Sequence, residues 1–198
     1  MSEKINDLIK EYRNRIIEGK CINFVPLSEK DLENVVNLRN KDRNRYFLNQ
    51  SYVLTVEGQK EWYEKYIERM NDIYWCIYSK SKQFIGTIRI YDIDENEDLC
   101  DQGSFMIDEE YAEEAPYAIE AELMSLDFVF DILKIGNVIN EDRADNKVMN
   151  NLTKRLGFVF EKDIVINGID YKYYLLNKER YNEKRQKFMD VVSYWCER

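Results

Sequence analysis

An unusually apolar helical segment in the second half of the chain constrains the fold most. Eleven of the sixteen residues from Ala118 to Leu133 are apolar, so a helix there must be covered on most of its sides. Before this segment, β-branched and aromatic runs between Tyr74 and Asp108 are separated by polar turns. After it, Asn167-Gly168 joins two further extended runs and favours a two-residue type I′ turn. The pattern predicts an α/β fold in which a central helix packs against a sheet.

Helical and extended periodicities predict the remaining elements along the chain. Seven glycines, two prolines and no low-complexity run give no obvious linker, so one domain over residues 1–198 is expected, with helices at 1–19 and 178–198 as additions. The predicted helices begin at the N-terminus, after the caps Ser28 and Thr55, and at Pro116, Asp145 and Glu179. The predicted strands are 21–25, 74–79, 84–93, 103–108, 135–139, 158–166 and 169–176.

The composition excludes several classes of function. A formal charge of −9 provides no surplus of positive charge for a nucleic-acid partner. The absence of histidine removes Ser-His and Cys-His nucleophilic schemes and the commonest transition-metal ligand, and the acidic run 92–98 lacks the glycine of a calcium loop. The four cysteines form no CxxC pair and are expected to be free, mostly buried thiols. With no signal peptide or membrane span recognised, a cytoplasmic protein without metal is expected.

Four motifs then occur in a recognisable order. They are IGTIRI at 85–90, SFMIDEEY at 104–111, YAIEA at 117–121 and NKVMNNLTKRLGF at 146–158. In this order they resemble the GNAT superfamily of N-acetyltransferases. LRN at 38–40, FLNQ at 47–50 and EGQKEWYEKY at 57–66 are further similar to amino-sugar N-acetyltransferases of the flagellin nonulosonic-acid pathway, which border the ribosomal-protein N-acetyltransferases. The resemblance implies a GNAT fold, with a mixed, mostly antiparallel sheet flanked by helices and extra helices at both ends.

The resemblance also implies a reaction and a set of site residues. An acetyl group moves from acetyl-CoA to a primary amine by direct attack in a ternary complex, with an amino-sugar nucleotide as the favoured acceptor. Arg39 and Asn40 would face this acceptor; Trp75 is a candidate sugar platform or, alternatively, a core residue. The implied coenzyme A site consists of Phe105, Met106, Ile107, Asp108, Ala112, Glu113, Glu114, Ala115, Tyr117, Ala118 and Asn146.

Three positions depart from the family pattern. The loop from Ala112 to Pro116 has no glycine, and Glu113 and Glu114 would compete with a pyrophosphate for the positive end of the following helix, unless they only cap that helix. Thr153 stands where the family usually holds an acidic tyrosine, and a threonine hydroxyl is too weakly acidic to protonate a thiolate efficiently. Asp101 is the candidate base; the alternative is a solvated loop acid.

These departures leave alternatives to the sugar N-acetyltransferase open. One is acetylation of a protein N-terminus, for which an acidic surface suits a basic partner such as a ribosomal protein. Another is a non-catalytic GNAT-fold binding module. The terminal helices cover the core or form a homodimer contact.

Overall fold

A computed structural model describes residues 2–196, which contain one sheet of eight strands and seven α-helices. Along the sheet the order is β1-β2-β3-β4-β5-β6-β8-β7. The strands are β1 (Ile17–Glu18), β2 (Ile22–Pro26), β3 (Ile73–Ser79), β4 (Phe84–Asp94), β5 (Leu99–Ile107), β6 (Asn137–Arg143), β7 (Val159–Ile166) and β8 (Ile169–Asn177). The helices are α1 (Glu3–Tyr12), α2 (Leu32–Asn40), α3 (Asp42–Phe47), α4 (Val56–Glu68), α5 (Tyr117–Asp127), α6 (Lys147–Leu156) and α7 (Lys178–Cys196).

The sheet is mixed and mostly antiparallel, as expected. Six of its neighbouring pairs are antiparallel, and only β5 and β6 run parallel. A parallel pair needs a long crossover connection, which α5 supplies between these two strands. Within residues 2–196, no helix combines the length and apolar character that crossing a bilayer requires.

The central helix is confirmed and lies on the core side of the sheet. Ala121, Leu123 and Leu126 of α5 are buried, and the helix continues as a π-helical segment from Phe128 to Leu133. Phe128 lies edge-to-face on Trp75, with ring centroids 4.9 Å apart. The nearly continuous apolar sequence of this segment is explained by these contacts, because both the sheet and the terminal helices cover it.

Capping and turn residues in the sequence predicted several helix and strand ends correctly. The Thr55 hydroxyl accepts a hydrogen bond from the Gly58 amide at 3.0 Å and so caps α4. Asn167 and Gly168 have φ angles of +50° and +77°, the positive values that a type I′ hairpin turn requires. Gly157 ends α6 with a φ of +106°, which a side chain would strain.

Other boundaries differ from the prediction because tertiary contacts decide them. The first helix ends at Tyr12, and Ile17 instead pairs with Phe24 to form β1. The segment after Arg39 contains the short helix α3, which the sequence pattern did not indicate. The helical spacing of Val148, Leu152 and Leu156 predicts that all three face the core, but Val148 is 66% exposed. Strand β5 begins at Leu99 and β6 extends to Arg143 because each pairs with its neighbour over those residues.

The prediction of free thiols is wrong for two of the four cysteines. Cys21, just before β2, forms a disulfide with Cys196 at the end of α7. These residues are 175 positions apart, so only the folded chain brings them together. The Glu120 carboxylate lies beside them and accepts hydrogen bonds from the amides of residues 20–22. Cys76 and Cys100 are free and buried, as expected.

Candidate active site

A cleft opens where β5 and β6 separate. Parallel pairing joins residues 99–102 of β5 to residues 137–140 of β6 and stops there. Beyond this point, β5 pairs with β4 and β6 pairs with β8. Each strand therefore turns a backbone edge toward a cavity of ≈ 310 Å³. Such edges can form main-chain hydrogen bonds with an extended ligand.

A β-bulge at Ser104 lies at the point of separation. Thr87 of β4 pairs with Met106 and Arg89 pairs with Gly103, so Ser104 and its neighbour Phe105 share one partner position. Ser104 has a φ of +47°, and its carbonyl accepts a hydrogen bond from the Thr87 hydroxyl at 2.9 Å. Ser104 lines both the cleft and a second cavity, called here the acceptor-side cavity because Arg39, a residue expected to face the acceptor, lines it.

The cleft brings together about half of the residues expected to hold a cofactor. Its lining includes Phe105, Met106, Ile107, Ala112, Ala118 and Asn146. Asp108 instead pairs with the Lys41 ammonium at 2.7 Å. Glu113, Glu114, Ala115 and Tyr117 lie outside this lining. Sequence reasoning missed a second set of lining residues from α3, β6 and α6, namely Arg43, Asn44, Phe47, Leu48, Asn140, Glu141, Asp142, Arg143, Met149 and Leu152.

The loop before α5 forms successive turns. The amides of Tyr111, Ala112 and Glu114 donate to carbonyls within the loop at 2.9, 3.4 and 3.2 Å, and Tyr117 donates to Ala115 at 2.8 Å. These four amides are already paired, so a pyrophosphate here would use other amides of the loop or of the first turn of α5. Pro116 is the N-cap of α5, and both glutamates of the loop are exposed.

Cations from α3 and β6 lie along the cleft. The Arg143 guanidinium stacks over the Tyr46 ring at 3.8 Å, and its Nε donates to Asp145 at 2.9 Å. The Tyr46 hydroxyl also donates to Asp145, which ties α3 to the loop before α6. Lys41 and Arg43 line the opposite wall, where the hydrogen bond from Lys41 to Asp108 raises the pKa of that ammonium. The lining also includes the acidic residues Glu109, Glu141 and Asp142, so the cleft has no surplus of positive charge, and an anionic ligand would depend on the local placement of these cations.

A buried polar cluster lies beneath the cleft. The Thr153 hydroxyl donates to Asp142 Oδ2 at 2.6 Å and accepts from Asn140 Nδ2 at 3.1 Å. Thr153 is 1% exposed and does not line the cleft itself, whereas Asp142 and Asn140 do. Burial raises the pKa of Asp142 to about 6. Burial also raises the pKa of Glu122, whose carboxylate accepts from Gln102 Nε2 at 2.9 Å, to about 8.

The acceptor-side cavity has a volume of ≈ 340 Å³ and lies between α2, α4 and the sheet. Arg39 and Trp62 line it, together with Tyr74, whose buried hydroxyl has no hydrogen-bond partner among residues 2–196. Burial raises the pKa of Tyr74, and the nearby positive charge of Arg39 opposes that rise. Arg89 also lines the cavity, but its guanidinium forms a salt bridge with the Asp72 carboxylate, which neutralises its charge.

Two residues expected at the acceptor have structural positions instead. Asn40 exchanges hydrogen bonds with the backbone of Leu54 at 2.8 and 2.9 Å, and so holds a wall of the acceptor-side cavity without lining it. Trp75 is fully buried and stacks on Phe24 with ring centroids 5.2 Å apart. This placement corrects the expectation that Trp75 forms a sugar platform, since its ring belongs to the core.

Asp101 lies in β5 and not in a loop, opposite Tyr91 of β4. It is partly buried, and burial raises its pKa to about 7, with the negative charges of Glu141 and Asp92 adding to the rise. Asp101 lines neither cavity, whereas Glu141 lines the cleft on the next strand. A carboxyl group that titrates near neutral pH is suited to general-base catalysis.

Comparisons with solved structures find the same fold in several acetyltransferases. FdhC, a nucleotide-linked sugar GNAT, has a TM-score of 0.77 at 22% identity, covering 90% of this chain and 99% of that chain. A GCN5-related N-acetyltransferase from Brucella melitensis has a TM-score of 0.76 at 19% identity, covering 90% and 86%. Spermidine N-acetyltransferase from Vibrio cholerae, in complex with CoA and spermine, has a TM-score of 0.76 at 20% identity, covering 83% and 99%.

Sequence comparison agrees with the fold. No curated protein sequence matches the chain significantly. A family model described as acetyltransferase (GNAT) domain matches residues 22–159, which include both cavities and most of the sheet. The match spans well over half of the chain. The protein therefore belongs to the GNAT family of acetyltransferases.

Proposed function

We propose that this protein transfers the acetyl group of acetyl-CoA to the primary amine of a nucleotide-linked amino sugar. The cleft suits the donor, because the backbone edge of β5 at residues 105–107 is open to pair with a pantetheine arm. Asn146 caps α6, where its Oδ1 accepts a hydrogen bond from the Met149 amide at 3.2 Å, and its side-chain NH₂ group would support that arm. The lining residues Ala112 and Ala118 would lie near the pyrophosphate. Arg43 adds positive charge on the opposite wall.

The residues that line the acceptor-side cavity support the choice of a nucleotide-linked amino sugar as the acceptor. Among the described residues that line it, none is a carboxylate, so a polyamine would find no negative charge there. Arg39 has no carboxylate partner within residues 2–196, so its guanidinium is available to bind a phosphate with two parallel hydrogen bonds. Trp62 and Tyr52 offer aromatic surface for a sugar or a base. The combination favours an anionic acceptor with a ring.

The bulge at Ser104 provides the meeting point for the two substrates. Because Ser104 lines both cavities, an amine in one cavity and a thioester in the other would approach each other there. The amine nitrogen attacks the carbonyl carbon and later loses a proton. We assign Asp101 as the base that accepts this proton. Because Asp101 lines neither cavity, a water molecule would carry the proton from the nitrogen to its carboxylate.

Donor binding and acceptor choice are tested in sequence. Acetyl-CoA should raise the melting temperature in a titration, since ligand at 100 times its Kd stabilises the native state by about 2.7 kcal/mol. Thiol release should then be fastest with nucleotide-linked amino sugars, compared with spermidine and with basic peptides at the same concentration. Turnover of spermidine or peptides alone would refute the assigned acceptor, and no thermal shift at millimolar acetyl-CoA would refute the donor.

Arg39→Gln should raise the KM for the nucleotide-linked amino sugar about tenfold or more, because a charge-assisted hydrogen bond contributes roughly 1.5–3 kcal/mol. The KM for acetyl-CoA should stay within about twofold of the wild-type value, since Arg39 lines the acceptor-side cavity and does not line the cleft. Arg43→Gln is the matched control, because Arg43 lines only the donor cleft and should show the opposite pattern. An unchanged acceptor KM in Arg39→Gln contradicts the proposed phosphate contact.

A further inference from the structure

We propose that Asp142 is the acid that protonates the departing thiolate, and that Thr153 positions its carboxyl group. The inference rests on the proposed acetyl transfer and assigns a step that the chain must perform without a tyrosine at position 153. It follows from the location of a carboxyl group in the wall of the donor cleft and from the hydrogen bonds that hold it.

The two hydrogen bonds of Thr153 determine that its hydroxyl donates to Asp142. Asn140 Nδ2 can only donate, so Thr153 Oγ1 accepts from it and has its own proton left for Asp142. Thr153 is buried too deeply to reach a ligand, but its partner Asp142 lines the cleft. Asp142 is therefore the residue that links the buried Thr153 hydroxyl to the cleft.

The groups around Asp142 leave it without a neutralising cation. Glu122 faces it from α5 and keeps its own proton near neutral pH, since its pKa is raised to about 8. Lys172 of β8 is the register partner of Asp142, but its ammonium pairs with Asp163 at 2.9 Å. Tyr174, also of β8, donates a hydrogen bond to Asn150 on α6. On β5, Gln102 is uncharged, and the next residue of β6, Arg143, pairs with Asp145. Burial therefore raises the pKa of Asp142 to about 6, so the carboxyl group is mostly protonated below that pH and a minor fraction keeps its proton at neutral pH.

The proposed step balances as follows. The amine nitrogen forms a bond to the carbonyl carbon, and the carbon–sulfur bond breaks with its electron pair remaining on sulfur. The carboxyl proton of Asp142 moves to that sulfur and gives the free thiol of coenzyme A. The proton lost by the nitrogen leaves through Asp101, and solvent reprotonates Asp142 after the thiol departs. No oxidant, reductant or covalent enzyme intermediate is needed.

Asp142→Asn should lower kcat about 100-fold, within the usual range for general acid catalysis, and leave both KM values near those of the wild type. The wild-type kcat should follow a bell-shaped pH profile, because Asp101 must lose its proton to act as the base and Asp142 must keep its proton to act as the acid, and the alkaline limb should be absent from Asp142→Asn. Thr153→Val should shift the limb to higher pH, because the Thr153 hydrogen bond lowers the pKa of Asp142. Thr153→Ser keeps the hydroxyl and should restore the wild-type profile.

A binding measurement separates this inference from the proposed function. Calorimetry with coenzyme A and with desulfo-coenzyme A, which lacks the thiol, reports contact between Asp142 and sulfur whatever the acceptor is. The wild type should show a pH-dependent difference between the two ligands across pH 5–8, and Asp142→Asn should abolish that difference. Equal binding of both ligands by the wild type at every pH, or an unaltered pH–kcat profile in folded Asp142→Asn or Thr153→Val, overturns the assignment. Loss of turnover with every amine, with this pH-dependent difference intact, would overturn only the proposed function.

Discussion

Cys196→Ser should lower the free energy of unfolding of the oxidised protein by about 3–5 kcal/mol, the range for a disulfide that closes a loop of more than one hundred residues. Cys21 and Cys196 are separated by 175 positions, so the bond removes a large amount of conformational freedom from the unfolded chain. Urea denaturation followed by circular dichroism measures the change.

Reductant provides the matched control for the disulfide. It should lower the midpoint of wild-type unfolding to that of Cys196→Ser and leave the midpoint of the variant unchanged. Cys21→Ser should behave like Cys196→Ser, because either substitution breaks the same bond. Equal stability of oxidised and reduced wild-type protein would show that the two sulfurs are not bonded in solution.

Glu122→Gln should stabilise the protein by about 3–4 kcal/mol at pH 8 and by little at pH 5, since each unit of pKa shift corresponds to about 1.4 kcal/mol. The pKa of Glu122 is raised from 4.5 to about 8, chiefly by burial and then by the charge of Asp142. Between these two values the native state holds a proton that the unfolded state has lost, so the stability of the wild type falls as pH rises. Glutamine mimics the protonated carboxyl and removes that dependence at this position.

Thermal or urea unfolding at pH 5, 6.5 and 8 measures the effect of Glu122→Gln. Glu113→Gln is the control, because Glu113 is an exposed glutamate just before the same helix. Its stability relative to the wild type should change little across the three pH values. A constant difference between Glu122→Gln and the wild type at all three would contradict a buried carboxyl that is protonated near neutral pH.

The sequence predicted the elements whose signals are local. The Thr55 cap, the Asn167-Gly168 turn and the apolar run of α5 each depend on neighbouring residues, and the structure contains all three. Helix α3 is only six residues long and buries none of them, so its formation depends on contacts such as that between Tyr46 and Arg143. No short-range pattern indicates such a helix.

The candidate site was predicted mainly on one side. Phe105, Met106 and Ile107 occur in a recognisable motif, whereas the facing wall at Asn140 and Asp142 lies in an ordinary polar strand sequence. Its chemistry arises when α5 and α6 bury that strand and raise the pKa of its carboxyl group. The disulfide was missed for a similar reason, because the residues that bring Cys21 to Cys196 are spread over the whole fold.

The shared position of Ser104 divides the chain into two separately variable parts. Except for Lys41, Leu48 and three residues of α3 between them, the residues that line the cleft occur from Gly103 onward, while those of the acceptor-side cavity occur from Arg39 to Ser104. Mutations between Tyr52 and Trp62 can therefore reshape the acceptor-side cavity while the cleft keeps its walls. Such modularity would allow one fold to exchange its proposed acceptor preference by changes in α4 and the segment from Tyr52 to Thr55, with the walls of the cleft unchanged.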